Sequence, residues 1–382
     1  MEIINGTYTS AGLHLTENTE NRIDGYAKSQ IEMLCNTEAL SGSRIRIMPD
    51  VHPGKVGTIG FTATIGDRLM PLLIGIDIGC GMTMAHISKG KKEWQKLDTV
   101  IRENIPSGPM IRKTPHSSAL NFDFGRLDCV SHIQNDRGYA SLGTLGGGNH
   151  FIEVDTDGDG LYLVVHSGSR HLGKEITDYY VSKGQKHLKN KGIDIPYELT
   201  WIDSDFMQSY IRDVGVATEY AKLNRHIIIE EILKGMKWKA DDVLDCPHNF
   251  IASDVQSKSV FGNPILRKGA ISSMDGEKAI IPINMRDGII LGIGKGNVEW
   301  NCSAPHGAGR ILKREDVKTR YTVSSYKSEM KGIYSSCIGK ETLDEAPFAY
   351  RNLDDIRDVL GETVKITKVL KPLYNYKAGT GK

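Results

Sequence analysis

Phe151-Ile152-Glu153-Val154-Asp155-Thr156-Asp157-Gly158-Asp159-Gly160-Leu161-Tyr162-Leu163-Val164-Val165-His166 is the stretch whose reading decides the fold. Its centre, Asp155-x-Asp157-x-Asp159-Gly160, opens like a calcium loop between two helices. Such a loop needs a bidentate Glu six residues after the glycine, and His166 stands there instead. Phe151 to Val154 and Leu161 to Val165 are short apolar runs that meet across a cluster of Asp and Gly, which is the pattern of two strands joined by a hairpin turn.

The same pattern recurs outward from this hairpin. Ile45-Arg46-Ile47-Met48, Ile59 to Ile65, Leu72 to Ile78, Ala279 to Pro282 and Gly288 to Ile293 are apolar runs bounded by turn residues, and each reads as a strand. Thr19 to Asn36 reads as a surface helix, with Ile23, Ala27, Ile31 and Leu34 at helical spacing. Asp203 to Trp238 reads as a long helix with Met207, Tyr210, Ile211, Val214, Ala217 and Ala221 as its apolar stripe. A further helix is predicted near Asp354 to Leu360. Strands and helices follow no regular β-α alternation, so the expected class is α+β: a single large domain, mixed β-sheets at its core and helices packed around them. That domain is expected over residues 1–377, with 378–382 a short disordered tail.

Composition narrows the function classes. The 48 Lys and Arg balance 47 Asp and Glu to +1, which excludes a bulk polycation but not a local basic groove. Six scattered cysteines without a Cys-x-x-Cys pair exclude a zinc ribbon and a secreted disulfide framework. Met1 to Asn5 does not open a signal peptide, and the apolar stretch from Met70 to Ile78 is far shorter than the roughly 20 residues of a membrane span. A soluble protein of a reducing compartment, cytoplasmic and without a membrane partner, is the expectation. Gly168-x-x-x-x-Gly173-Lys174 resembles a phosphate-binding P-loop, but Glu175 replaces the hydroxyl that would hold magnesium.

Five of the twelve histidines stand in small or polar surroundings: His52, His150, His166, His248 and His306. Asp77 lies three residues before Cys80 in Gly75-Ile76-Asp77-Ile78-Gly79-Cys80-Gly81-Met82, amid glycines that deprive a buried free cysteine of packing neighbours. Carboxylate, thiolate and imidazole together suit a borderline transition metal. The carboxylate favours manganese and the thiolate zinc or iron, so residue chemistry leaves the metal open.

Several of these segments, in this order, resemble the RtcB family of RNA ligases. They are Met48-Pro49-Asp50-Val51-His52, Asp77-Ile78-Gly79-Cys80-Gly81, Gly143 to Phe151, His166-Ser167-Gly168-Ser169-Arg170, His248-Asn249, Arg267-Lys268-Gly269-Ala270 and His306-Gly307-Ala308-Gly309-Arg310. The resemblance runs from about residue 45 to Lys377. It implies a GTP-dependent enzyme that joins RNA 3′-phosphate or 2′,3′-cyclic phosphate ends to 5′-hydroxyl ends, in tRNA splicing or RNA repair. It further implies two Mn²⁺ ions bridged by Cys80, one completed by Asp77 and His150 and the other by His166 and His248. His306 would be the nucleophile that takes GMP. Asn149, Phe151, Glu153, Asn249, Pro282, Asn284, Met285, Gly307, Ala308, Gly309, Tyr350 and Lys377 would contact the nucleotide, and Arg170 and Arg310 RNA or phosphate. The resemblance names no protein partner.

The chain also departs from the family pattern. Where Pro-Gly-Ser-Met-Gly and a later serine are usual, it has Pro282-Ile283-Asn284-Met285-Arg286-Asp287-Gly288-Ile289. Ile289 cannot replace a hydroxyl, and Arg286 is expected to add charge beside the nucleotide. Ala304-Pro305 and His171 also replace commoner residues. A dinuclear cyclic-phosphate hydrolase that does not ligate, or a non-catalytic RNA-end-binding module, are the competing readings.

Overall fold

The structure is a computed structural model that describes residues 1–15, 23–253 and 260–378. The architecture is α+β, with two large sheets at the core and helices packed around them. The first sheet has six strands, in the order Glu2–Asn5, Ser10–Leu13, Ile45–Pro53, Thr58–Thr64, Ile265–Lys268 and Asn249–Ala252. The second has seven, in the order Lys239–Pro247, Gly81–Lys89, Leu161–Ser167, Phe151–Thr156, Val364–Lys377, Gly288–Gly294 and Lys278–Asn284. All pairs in the second sheet are antiparallel. In the first, Ser10–Leu13 runs parallel to Ile45–Pro53.

The opening stretch is the hairpin its pattern demands: Phe151 pairs with His166 and Thr156 with Leu161. Asp157 stabilises the turn by accepting from the backbone N–H of Asp159 and Gly160, as Asp does in tight turns. The long helix spans Ser204–Met236, with every residue of the predicted stripe buried. It crosses beneath both sheets, touching Gly81–Lys89, Leu161–Ser167 and Asn249–Ala252. Residues 170–190 form a second long helix in place of a P-loop's phosphate-binding turn and helix.

Three expectations need correction. The N-terminal helix begins at Gly25, because the Asp24 side chain caps it by accepting from the Tyr26 N–H. Ile23 precedes it, and the earlier part of the predicted helix falls at 16–22, outside the described residues. Leu72 to Ile78 is not a strand. Pro71 sets the first turn of a short helix, Pro71–Ile74, and Gly75, at φ 90°, ends it in a loop. Finally, Ala378, the first residue of the expected tail, is buried in the apolar cluster around Leu163, Val165 and Tyr376; residues 379–382 lie outside the described residues. Among the described residues no helix is long and apolar enough to cross a membrane.

Candidate active site

Antiparallel register gathers the site at one end of the seven-stranded sheet. Gly81 pairs with both Pro247 and Ser167, while Phe151 pairs with both His166 and Lys377. Cys80, His248, His150 and Lys377, each at or next to these positions, therefore arrive at a common edge. His248 is the single residue between Lys239–Pro247 and Asn249–Ala252, so it stands where the chain leaves one large sheet for the other.

The glycines around Cys80 mark close backbone approach rather than slack packing. Gly79 has φ 72°, and a Cβ there would lie 2.8 Å from Thr218 Cα and 2.9 Å from Ala221 Cβ of the long helix. A Cβ on Gly168 would sit 2.0 Å from Asp77 Oδ1. Two polar residues of the same helix tie the loops down. Arg225, fully buried, donates to Gly79 O and Ser167 O at 2.8 Å each and pairs with Asp245 at 2.8 Å. Asn224 accepts from the N–H of Gly143 and Thr144 and donates to Thr144 O, Ser167 Oγ and Gly168 O.

Asp77, Cys80 and His150 form one cluster, and Cys80, His166 and His248 a second, with Cys80 in both. His150 Nε2 lies 3.1 Å from Asp77 Oδ2 and 3.5 Å from Cys80 Sγ. His166 Nε2 lies 3.3 Å from Cys80 Sγ and 3.4 Å from His248 Nε2. The Nδ1 atoms are already committed: that of His150 donates to Leu145 O at 2.8 Å, and that of His166 to Asn149 O at 3.1 Å. The proton therefore sits on Nδ1, and each Nε2 presents a bare lone pair. Lone pairs of nitrogen, oxygen and sulfur pointed at one another in a buried space repel unless cations lie among them.

The electrostatics agree. Burial pushes His166 and His248 far below the ordinary imidazole range, which keeps them neutral, as ligands must be. Burial also opposes ionisation of Asp77, and its neighbour His150 Nε2, 3.1 Å away, outweighs that only while it carries a proton; with the proton on Nδ1, a bound cation has to supply the positive charge there. Burial and then the Asp77 charge push the Cys80 thiol well up, so the protein's own groups do not support a thiolate here. A bound divalent ion reverses that, since a coordinating thiol is deprotonated outright. The residues present thus fit two cations sharing one thiolate.

His306 stands beside the second cluster, its ring 4.8 Å from that of His248. It follows the short strand Ser303–Pro305, which pairs with Ala270–Ser272. Asp50, buried in Ile45–Pro53, accepts the His306 Nδ1–H at 2.6 Å and its backbone N–H at 3.2 Å. The ring is thereby held with Nε2 free. His306 opens onto a cleft of about 150 Å³.

Of the residues expected at a nucleotide, Asn149, Phe151, Glu153, Pro282, Asn284, Met285, Gly307, Ala308, Gly309, Tyr350 and Lys377 line this cleft, as does Arg310. Asn249 does not: its amide donates to Asp77 O and accepts from the Gly269 N–H, bracing the metal loop. Arg170 also lies away from the cleft lining, donating to Gly108 O and Thr144 Oγ1 behind the His150 loop. His52 lines the cleft but joins neither ligand cluster, and its Nδ1–H is given to Asp50 O at 2.9 Å. The charge expected from Arg286 is turned outward, pairing with Asp287 and Glu329 on the surface. Ile289 is wholly buried in the core.

Sequence reading missed Asp50, Asn224, Arg225 and a carboxylate at the cleft wall, Glu345. Glu345 accepts from Tyr350 Oη at 2.5 Å and pairs with Lys377, Arg310 and Arg314. Burial opposes its ionisation, but the three cations outweigh that and hold it at about 2. Glu345→Gln leaves Lys377 buried without its counter-charge, and a loss of about 3 kcal/mol is expected at pH 7 in urea unfolding. Because the folded value is depressed from 4.5, the gap to wild type should close as the pH falls from about 4.5 to about 2. Equal stabilities at pH 7 would refute the hub.

The tRNA-splicing ligase RtcB family model matches residues 33–123 and 117–378. The chain is 29% identical to RNA-splicing ligase RtcB1 of Escherichia coli strain ATCC 25922, over 86% of this chain and 88% of that protein. It is 28% identical to RNA-splicing ligase RtcB of Escherichia coli K12, with the same coverage, and 27% identical to tRNA-splicing ligase RtcB of Aeropyrum pernix, over 82% and 83%. A match this extensive, carried by a chain whose candidate metal-ligand clusters and His306 converge, places the protein in the RtcB family.

Proposed function

We propose that this protein joins RNA 3′-phosphate or 2′,3′-cyclic phosphate ends to 5′-hydroxyl ends, using GTP and two Mn²⁺ ions, through a single domain that includes Ala378. The observation that carries the reading is the pairing of His306 with Asp50 at the mouth of the cleft, beside a double ligand cluster. A histidine with one nitrogen locked to a buried carboxylate and the other facing a cleft is arranged as a nucleophile.

Asp77 and His150 would hold one ion, His166 and His248 the other, with Cys80 between them. When bound, the pair neutralises phosphoryl charge and orients the reacting oxygens. His306 Nε2 gives its lone pair to the α-phosphorus of GTP, and pyrophosphate leaves as the N–P bond forms. Asp50 steadies the positive charge that develops on the ring, since it accepts the Nδ1 proton throughout. An oxygen of the RNA 3′-phosphate then attacks the same phosphorus and releases His306; a cyclic end is first opened by water. The 5′-hydroxyl attacks the activated RNA phosphorus, loses its proton, and expels GMP. Arg310, stacked 4.9 Å over Tyr350 and donating to its hydroxyl, would steady phosphate at the cleft wall. Phe151 and Tyr350 offer faces to the base, and Glu153 an acceptor edge.

Asp50→Ala removes the group that fixes the His306 tautomer. The rate of GMP transfer to the protein should fall by about ten- to a hundredfold, while bound manganese is unchanged. A rate equal to wild type would remove Asp50 from the mechanism.

The reaction itself is tested by incubating the protein with RNA strands ending in 3′-phosphate and 5′-hydroxyl, GTP and MnCl₂. Joined RNA with one GMP and one pyrophosphate released per joint is expected. Opening of a 2′,3′-cyclic phosphate without GTP, and no joint under any metal, would replace this reading with the hydrolase.

A further inference from the structure

Behind Glu153 lies an acid that the proposed reaction does not use. Strand residues two apart share a face, so Phe151, Glu153 and Asp155 all point the same way. Phe151 and Glu153 reach the cleft, whereas Asp155 is entirely buried one step deeper. No N–H or hydroxyl of the described residues donates to either carboxyl oxygen of Asp155. Its flanking strands bring no cation to it: Tyr162 and Pro372 pair with it, and the Tyr162 hydroxyl is given to Asp157, which also takes Lys368. Lys377 acts on Glu153 but is itself paired with Glu345. The polar group against Asp155 is the Glu153 carboxyl, which in turn accepts from the Asn375 amide.

Two carboxyl groups in contact can hydrogen-bond only through a shared proton, and a bare carboxylate without a donor is too costly to bury. We propose that Asp155 is a neutral carboxylic acid that donates its proton to Glu153, making it a positioning residue for the acceptor edge that Glu153 shows to the cleft. The stronger upward push falls on Asp155, first from burial and then from the Glu153 charge. Burial raises Glu153 less, to about 7, because it receives hydrogen bonds from Asp155 and Asn375 and feels Lys377. With two donors behind it, Glu153 keeps its remaining lone pairs aimed outward, suited to a nucleobase edge that presents adjacent N–H groups. That consequence rests on the nucleotide reading above, but the protonation state of Asp155 does not.

The two parts are tested separately. Infrared difference spectra of wild type minus Asp155→Asn at pH 8 should show the carbonyl band of a protonated carboxylic acid, and its absence overturns the proposal. GMP binding to manganese-loaded protein is then titrated from pH 6 to pH 9 for wild type, Asp155→Asn and Asp155→Val. The Asn variant can still donate and should bind within about twofold of wild type. The Val variant should bind about tenfold more weakly near neutral pH and recover as the pH rises, because an unsupported Glu153 holds its proton longer. Unchanged or tighter binding by the Val variant overturns the proposal, since it would mean that Asp155 carries a repelling charge. Failure of wild type to bind GMP at any pH would count against the nucleotide reading, while the infrared band still decides the state of Asp155.

Discussion

His306→Ala is expected to abolish covalent labelling by GTP carrying a radioactive α-phosphate, a loss of more than about a thousandfold. The size follows from the geometry. His306 is locked to Asp50 through Nδ1 and lies 4.8 Å, ring to ring, from His248. The other histidines lining the cleft are committed elsewhere: His166 and His248 belong to the ligand clusters, and His52 is bonded to Asp50 O. Among the described residues, no other histidine lining the cleft is left to take the place proposed for His306. Bound manganese should stay at the wild-type level, because His306 belongs to neither ligand cluster. Substantial residual labelling would show that another side chain takes the nucleotide.

The second large effect is expected from Cys80→Ala. Its Sγ is shared by both ligand clusters, so its removal leaves each prospective ion with two protein ligands. Metal content measured after desalting should fall from two ions to none, and ligation should be lost with it. The fold should survive, because Cys80 contributes little apolar surface and the loop is held by Arg225 and by the contacts of Gly79. Stability gives a second readout. At manganese a hundredfold above its dissociation constant, binding should stabilise the wild type by about 2.7 kcal/mol for each ion bound, and the variant should show no such shift. A variant that still retains two ions would contradict the bridging thiolate.

Much of this site was legible because its chemistry is local in sequence. Asp77 and Cys80 sit three residues apart among glycines, and the small polar settings of His150, His166, His248 and His306 set them off from core histidines. Asp50 was visible only as a member of Met48-Pro49-Asp50-Val51-His52, because its role depends on a partner 256 residues away. Asn224 and Arg225 did leave a trace. They continue the buried face of the long helix after Val214, Ala217 and Ala221, and a polar residue in such a register signals a buried network. Glu345 left none, since an acid at the end of a single helical turn, Leu343–Glu345, reads as surface until its three cations are seen.

The fold was legible where strands are apolar and obscure where they are not. Lys239–Pro247 carries Asp241 and Asp242, residues disfavoured in strands, which stay exposed at a sheet edge, and Asp245, which pairs with the buried Arg225. Val364–Lys377 hides its alternation behind Lys365, Lys368, Lys371 and Pro372; the ladder tolerates the proline at a register shift. Leu72 to Ile78 failed the other way, since an apolar run after a proline can equally begin a helix.

The shared thiolate between two ions, with His306 beside them, is tested most directly by diffraction from crystals grown with manganese and measured at its absorption edge. Two anomalous peaks are predicted, one among Asp77, Cys80 and His150 and one among Cys80, His166 and His248, both in contact with Cys80 Sγ. A single peak, or two peaks that do not share that sulfur, would contradict the account.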